Sequence, residues 1–240
     1  FANAVAVQTD GRIVVAGSCD MGETSGDFAI ARYNTDGSLD NSFDVDGKLA
    51  ADIDSFYDVA YAVAVQADGK IIVAGNGNTG NEIIVALARY NSDGSIDASF
   101  DGDGKLSTDF IISPAGAIVS SVTPQTDGKI LVGGSNSDHF IIARYNTDGS
   151  ADTGFDGDGK LITIFSNNQA PTWDYPAVSN AIAVQADGKI IVVGNAGVDG
   201  FAVARYNYDG SPDNSFDGDG KLITDIGPSR DAAYTQAVQA

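Results

Sequence analysis

The sequence of 240 residues predicts an all-β protein, a β-propeller built from four-stranded antiparallel blades. Three observations support this prediction. A segment of about sixty residues occurs four times, each copy contains four short strand-like runs, and no run shows the 3.6-residue hydrophobic period of a helix. Gln8, Gln66, Gln125 and Gln185 mark the register of the copies. Each blade would bury its two faces against its neighbours, so stacking should stabilise the fold.

The first copy illustrates the strand predictions in chain order. An alternating run at 4–8 predicts the first strand, and an apolar run at 13–16 predicts the second. The Asp10-Gly11 pair between them is interpreted as a type I′ hairpin turn, because glycine accepts the positive φ that such turns need. A third strand is predicted at 28–34, and a fourth begins at Lys48.

The whole chain, residues 1–240, is predicted to be a single propeller or an arc of one. Because both ends carry the same strand type, we favour a fragment or a unit that donates its terminal strand to the next subunit. A self-closed ring of four blades is the alternative. The repeats are placed at 4–61, 62–120, 121–180 and 181–234, and residues 235–240 start a fifth.

Composition excludes several classes of function. The net charge of −20 disfavours binding to nucleic acid and to anionic lipid surfaces. The sequence contains no run of eighteen apolar residues, so it predicts no membrane-inserted segment. One cysteine excludes a cysteine-based metal cluster, and one histidine, His139, excludes a site with two imidazoles. The chain begins at Phe1 without a leader, so we expect a mature or excised segment.

Two motifs resemble the delta-60 repeat family of bacterial and archaeal proteins. They are VAVQADGKIIVAG at 63–75 and FAVARYNYDGSPDNSFDGDGKL at 201–222. The resemblance covers essentially the whole chain. It implies a β-propeller that is extracellular or at the cell surface, often within a large secreted protein. It implies no activity, because the family has no agreed function.

An Asp-rich motif, ARYNTDGSLDNSFDVDGKL at 31–49, recurs in every repeat and contains many of the hard oxygens that calcium prefers. It differs from an EF-hand, because Arg32 occupies the first ligand position and no glutamate closes the loop. The alternative, which we favour, is a turn scaffold made by Asx turns and glycines at positive φ. The predicted calcium ligands are Asn34, Asp36, Asp40, Asp44, Asp46, Asn91, Asp93, Asp97, Asp101, Asp103, Asn146, Asp148, Asp152, Asp156, Asp158, Asn207, Asp209, Asp213, Asp217 and Asp219.

The third strand of each repeat carries an arginine on the same face as its apolar residues. That face should pack on a neighbouring blade, so the guanidinium needs a partner. An aspartate eight residues later is the expected one, with its carboxylate accepting both arms of the fork. The predicted pairs are Arg32 with Asp40, Arg89 with Asp97, Arg144 with Asp152 and Arg205 with Asp213.

The least repetitive segment lies at 164–178 and contains the only tryptophan. Trp173, Asp174 and Tyr175 are predicted to form a platform for a glycan or a protein partner; the alternative is a loop folded over the blade edge. Acids outside the repeated positions are interpreted as a solvated skin that keeps the protein soluble. They include Asp20, Glu23, Asp27, Asp52, Asp54 and Asp58.

These observations predict a non-enzymatic extracellular structural or adhesive scaffold, which Ca²⁺ could stabilise and which could assemble through its C-terminal strand. The alternative is a lectin-like propeller that binds a ligand or glycan with calcium and the 164–178 loop. The expected partners are a protein, a glycan or other copies of the chain. An enzyme is not expected, because acids able to act as a base either recur in every repeat or lie in acidic connections.

Overall fold

The structure is a computed structural model and describes residues 1–20, 26–53, 57–78, 80, 83–108, 118–136, 139–165, 177–196 and 200–225. These residues form sixteen strands in four separate four-stranded antiparallel sheets. Within each sheet the strands follow chain order, so every sheet is an up-and-down meander. The predicted all-β propeller of four-stranded blades is confirmed. Among the described residues, no helix is long and apolar enough to cross a membrane.

The sixteen strands divide evenly among blades 1 to 4. Blade 1 consists of β1 (Ala2–Val7), β2 (Ile13–Cys19), β3 (Asp27–Tyr33) and β4 (Lys48–Ala51). Blade 2 consists of β5 (Tyr57–Val65), β6 (Ile71–Asn78), β7 (Ile83–Tyr90) and β8 (Lys105–Thr108). Blade 3 consists of β9 (Ile118–Pro124), β10 (Ile130–Asn136), β11 (His139–Tyr145) and β12 (Lys160–Ile164). Blade 4 consists of β13 (Ala177–Val184), β14 (Ile190–Ala196), β15 (Phe201–Tyr206) and β16 (Lys221–Thr224).

The turn between β1 and β2 differs from the predicted type I′ turn. The amide of Gln8 donates to the carbonyl of Arg12 at 2.8 Å, and the amide of Gly11 donates to the carbonyl of Gln8 at 2.9 Å. Of the turn residues, Gly11 alone has a positive φ, +84°, whereas type I′ requires two. The connection is therefore a three-residue loop, a type I turn followed by a left-handed glycine, and the type I′ interpretation was wrong.

The hydrophobic core lies between consecutive blades. Three clusters of buried residues are found, one each between blades 1 and 2, 2 and 3, and 3 and 4. In each cluster a buried phenylalanine from the earlier blade packs with a buried tyrosine from the later one, as Phe43 does with Tyr90. Among the described residues, no cluster joins blade 4 to blade 1.

The meander gives every blade two different ends at which its strands are connected, and we call these two ends its edges. The connections between first and second strands and between third and fourth strands lie at one edge, which we call the repeated edge, because their sequences recur. The connections between second and third strands, and from one blade to the next, lie at the opposite edge. Their sequences differ from blade to blade, so we call it the variable edge.

Candidate functional site

In the Asp-rich turns at the repeated edge, the polar side chains form hydrogen bonds within the turn itself. The Oδ1 atom of Asp36 accepts hydrogen bonds from the amide and the hydroxyl of Ser38, at 2.9 and 2.6 Å. The Oδ1 atom of Asp46 accepts from the amide of Lys48 at 3.1 Å. Asn34 donates to the Ser38 hydroxyl at 3.0 Å. Equivalent bonds form in the other three blades, so these predicted calcium ligands also act as turn-forming residues.

A second set of residues, which we call the arginine clamp, joins each blade to the next. In blade 2, Nε of Arg89 donates to Oδ2 of Asp97 at 2.6 Å, and Nη1 donates to the carbonyl of Thr147 in blade 3, also at 2.6 Å. The guanidinium lies 4.8 Å from the centre of the Phe100 ring. Lys70 approaches the same carboxylate at 2.9 Å. The buried guanidinium of Arg89 therefore connects its own strand, β7, to the turn that contains Asp97 and Phe100 and to the turn of blade 3 that contains Thr147.

The predicted arginine–aspartate pairing is confirmed in all four blades, at 2.6 to 2.7 Å. The predicted two-armed fork is wrong. Only Nε of Arg89 reaches Asp97, while Nη2 donates to the hydroxyl of Ser99 at 3.1 Å and Nη1 crosses to the next blade. Burial alone would raise the pKa of Asp97, but hydrogen bonds from Lys70, Ser99 and Arg89 outweigh it and hold the pKa well below its ordinary value.

A second contact between blades comes from the Phe-Asp pair of each motif. Asp44 has a φ of +44°, and its amide donates to the carbonyl of Asp93 in blade 2 at 2.9 Å. The corresponding amides of Asp101 and Asp156 donate to Asp148 and Asp209, at 2.7 and 2.9 Å. Burial and nearby carboxylates raise the pKa of Asp101, so this position is unfavourable for a lone negative charge.

Among the described residues, three carboxylates converge at one place, on the variable edge. Ligand oxygens of Asp27, Asp52 and Asp58 all lie within 4.8 Å of one another. Asp27 begins β3, Asp52 follows β4 and Asp58 lies in β5, so contact between blades 1 and 2 brings them together. Carboxylate oxygens at this spacing are the ligands that calcium prefers. We call this group the acidic triad.

The acidic triad is tied into the backbone around it. Oδ2 of Asp58 accepts from the amide of Ile53 at 2.7 Å, and the amide of Asp58 donates to the carbonyl of Gly26 at 2.7 Å. Cys19 lies across from Asp27 in the β2–β3 ladder. Burial, and then the charge of Asp27, raise the pKa of the Cys19 thiol. The triad therefore makes this part of the variable edge locally negative.

The burial of two triad acids corrects the prediction of a solvated acidic skin. Asp27 and Asp58 are buried, with 7% and 1% of their surface exposed, whereas Asp52 is exposed. Asp27 and Asp58 are 31 positions apart in the sequence, and neither position carries an acid in every copy, so the repeats do not single out either residue. Only the stacking of blade 2 on blade 1 reveals the group.

A cleft of about 550 Å³ opens between the turns of blades 2 and 3 at the repeated edge. Lys70, Arg89, Asp127 and the marker residues Gln66 and Gln125 line it. Oε1 of Gln125 is buried and accepts no hydrogen bond from a described residue, and the other three marker glutamines share this feature. Because the feature recurs in every blade, it belongs to the scaffold rather than to one specialised site.

Several predicted functional residues lie outside the described residues. These are Trp173, Asp174 and Tyr175 in the 164–178 segment, and the fifth-repeat start at 235–240. β12 ends at Ile164 and β13 begins at Ala177. The aromatic platform, strand donation and calcium binding by the Asp-rich turns all stay predictions.

Stacked four-stranded meanders joined by a repeated clamp define this chain as a β-propeller repeat protein. The match to a family of sequences agrees with that class. The model of the domain of unknown function DUF5122, described as a β-propeller, matches residues 8–43, 66–100, 125–155 and 185–216. The matched segments cover more than half of the chain, and the chain belongs to this family. Among curated proteins, no sequence matches it.

Solved structures resemble the chain at low sequence identity. Sqt1 from Chaetomium thermophilum has 14% identity and a TM-score of 0.43 over 92% of this chain and 49% of its own. A GH43 glycoside hydrolase engineered for endo-xylanase and exo-arabinofuranosidase activity has 14% identity and a TM-score of 0.44, over 99% and 43%. A PL25 ulvan lyase has 11% identity and a TM-score of 0.39, over 85% and 55%. The chain spans about half the length of these structures.

The prediction that the chain is not an enzyme was wrong. The structural neighbours include a glycoside hydrolase and polysaccharide lyases, but at 10 to 14% identity they concern the fold alone, and a fold does not determine whether a protein is an enzyme. The premise of the exclusion fails, because the buried acids Asp27 and Asp58 neither recur in every repeat nor lie in connections: Asp27 begins β3 and Asp58 lies within β5. Repetition of the scaffold acids therefore does not decide between an enzyme and a scaffold.

Proposed function

We propose that the protein is an extracellular structural and adhesive module that contacts its partner through the variable edge. The observation that carries this proposal is the division of labour between the two edges. At the repeated edge, Arg89, Asp97 and their equivalents are committed to contacts within and between blades. At the variable edge, the connections differ in sequence from blade to blade, and in the part of the chain that the structure describes an acidic triad is found only between blades 1 and 2.

A rigid frame with variable connections suits recognition, because loops can change without disturbing the blades that hold them. The extracellular setting follows from the resemblance to delta-60 repeats and agrees with a net charge of −20, which keeps a strand-rich protein soluble. A glycan or a surface protein is the expected partner. The 164–178 segment supplies the aromatic residues that either kind of partner would contact.

Tethering the protein in two orientations tests the proposal. One variant carries Cys19→Ser with Thr35→Cys, which attaches the chain to a surface through the repeated edge. Its matched control carries Cys19→Ser with Asp20→Cys, which attaches it through the variable edge at an exposed residue outside the acidic triad. Both positions lie in connections between strands, so both attachments leave the blades intact.

Binding of a defined polysaccharide panel, and of bacterial cells, is then measured on both surfaces. We expect binding when the variable edge is free and at least about a tenfold loss when it faces the support, since the contacts would be blocked. Equal binding in both orientations would contradict the assignment of the edge. Absence of binding in both would contradict the adhesive role itself.

We propose in addition that calcium stabilises the protein, and removal of calcium gives a separate prediction. Chelator-treated protein should take up calcium with measurable heat, and millimolar calcium should raise Tm, because a ligand that binds only the folded state stabilises it. Calorimetry and thermal unfolding check this. Asp46→Asn should weaken a site in the turns, whereas Asp52→Asn should weaken one at the acidic triad. Neither heat nor a change in Tm would remove calcium from the proposal.

A further inference from the structure

Among the described residues, two blade faces have no blade packed against them. We call the face of a blade that packs on the following blade its trailing face, and the face that packs on the preceding blade its leading face. In each of the three internal interfaces, the trailing face of one blade packs on the leading face of the next. The trailing face carries the clamp arginine and its phenylalanine; the leading face carries first-strand valines and a tyrosine. Blade 1 presents a leading face and blade 4 a trailing face, and among the described residues no cluster covers either.

The leading face of blade 1 is apolar and exposed. Val5 and Val7 are 64% and 67% exposed, whereas Ile182, the counterpart of Val5 in blade 4, is 7% exposed. Tyr33 is half-buried, whereas its counterparts in the other blades are all buried, including Tyr90 at 3%. The same residue types that fill the internal clusters are therefore open to solvent on blade 1.

The trailing face of blade 4 is open in the complementary way. Phe216 is half-buried, whereas its three counterparts are completely buried. The Arg205 side chain is 21% exposed, compared with 1% for Arg144. Val203 is half-buried where Ile142 is fully buried. A further leading face would cover all three residues.

The polar groups on the two open faces match as well. In the internal interfaces, Nη1 of the clamp arginine donates to a carbonyl of the next blade, and the amide after the phenylalanine donates to the carbonyl one residue further along. No described residue accepts from Nη1 of Arg205 or from the amide of Asp217. On blade 1, the carbonyls of Thr35 and Asp36 occupy the two acceptor positions.

The space needed for such a contact is also present on blade 1. A Cβ atom at Gly94 would lie 2.7 Å from the amide nitrogen of Asp44 in the preceding blade. At Gly37, the counterpart in blade 1, a Cβ atom would meet nothing within 4 Å. The position against which a preceding blade would pack is therefore unobstructed.

We propose that a second copy of this chain seats its blade 1 on blade 4 of the first, repeating the internal interface between molecules. The partner must offer apolar positions and two carbonyls at the spacing of the repeat, and another copy of the chain supplies both. The contact is heterologous, so copies add head to tail and form a ring or a filament. It uses sheet faces, and so it is independent of the variable edge and of residues 235–240.

Complementary face-blocking variants test this proposal with the full chain. Val7→Asp blocks the leading face of blade 1, and Val203→Asp blocks the trailing face of blade 4, because each would place an unpaired carboxylate in an apolar contact. Ile162→Asp is the matched control, since Ile162 is an exposed strand residue outside both faces. The mass of each protein is measured by analytical ultracentrifugation in 150 mM NaCl, which screens the repulsion between copies.

We expect the unmodified chain and Ile162→Asp to form oligomers, and Val7→Asp to associate roughly 100-fold more weakly. Each blocked variant alone should be monomeric. An equimolar mixture of the two should form a 1:1 dimer and nothing larger, because only one pair of open faces remains. If Val203→Asp lowers Tm in the monomer, Arg205→Ala replaces it as the blade 4 variant. A monomeric unmodified chain, or a mixture that stays monomeric, would overturn the proposal.

Discussion

Arg89 shows how one buried side chain serves both its own blade and the next one. Its three nitrogens donate to Asp97, Thr147 and Ser99, and its plane lies over Phe100. A buried cation is stabilised only when its donors are satisfied, and here one acceptor belongs to the following blade. Removing the guanidinium should therefore cost more in an internal interface than on an open face.

Arg89→Ala should lower the free energy of unfolding by about 3 kcal/mol, because it leaves Asp97 buried with Lys70 as its remaining cation. Arg205→Ala is the matched control and should cost about 1 kcal/mol, since Arg205 is partly exposed and, among the described residues, makes no contact across blades. Urea denaturation of dilute, monomeric protein measures both. Equal losses would mean that the contact between blades contributes nothing.

Val45 has an unusual backbone conformation for a β-branched residue. It is 89% exposed with a φ of +72°, and the counterpart positions are glycines, including Gly102 at +87°. Left-handed backbone costs a branched residue about 1 to 2 kcal/mol, and no packing compensates here. Val45→Gly should therefore raise the free energy of unfolding by about 1 kcal/mol.

Gly102→Val is the reverse control for that prediction. A Cβ atom at Gly102 would meet nothing within 4 Å, so only the backbone conformation opposes the substitution. We expect a loss of about 1 kcal/mol by urea denaturation. A neutral result for both variants would show that this turn relaxes at no cost.

At the scale of the element, the strands could be predicted closely from sequence, but their ends could not. The predicted run at 13–16 lies within β2, Ile13–Cys19, and the predicted fourth strand starts where β4 does, at Lys48. β5, Tyr57–Val65, starts before the predicted repeat boundary at 62, because its pairing with β6 within blade 2 continues back to Tyr57, past a register shift between Ala60 and Ala62. The predicted turn type was wrong, because an Asp-Gly pair is compatible with both a two-residue type I′ loop and a three-residue loop. Only the backbone φ angles distinguish the two.

The packing of one blade on the next gives a prediction at this scale. Gly94 and Gly37 have nearly the same φ, +89° and +86°, but only Gly94 lies against the preceding blade. Gly37→Ala should cost about 1 kcal/mol, the cost of the backbone conformation alone. Gly94→Ala should cost clearly more, about 3 kcal/mol, because its Cβ atom would also displace Asp44. Thermal or urea unfolding of monomeric protein compares them, and equal costs would contradict the packing.

At the scale of the whole molecule, the four clamp aspartates Asp40, Asp97, Asp152 and Asp213 all have pKa values lowered from 3.8. A carboxyl group whose pKa is lower in the folded state stabilises the protein when it is ionised in both states. That contribution is complete above the ordinary aspartate pKa and is lost as the pH falls towards the lowered value. Because the clamp repeats, acid should weaken all blades together.

The free energy of unfolding should therefore be steady near neutral pH and fall below about pH 4. Asp97→Asn should be less stable than the unmodified chain by about 2 kcal/mol at pH 7, because it loses charge-assisted hydrogen bonds. The difference should shrink as the pH approaches 2. Urea denaturation across this range checks it, and a difference that stays constant with pH would show that Asp97 does not titrate with folding.

The sequence by itself determined the repeat, the four strands of each blade and the pairing of Arg89 with Asp97, because these depend on local periodicity and on residues present in every copy. Only the tertiary structure decided which groups meet across blades. The acidic triad joins Asp27 to Asp58 through the stacking of two blades, and the clamp finds its third acceptor, Thr147, 58 residues away. Such contacts depend on how separate sheets stack, and the periodicity within one strand contains no information about which residues of two different sheets meet.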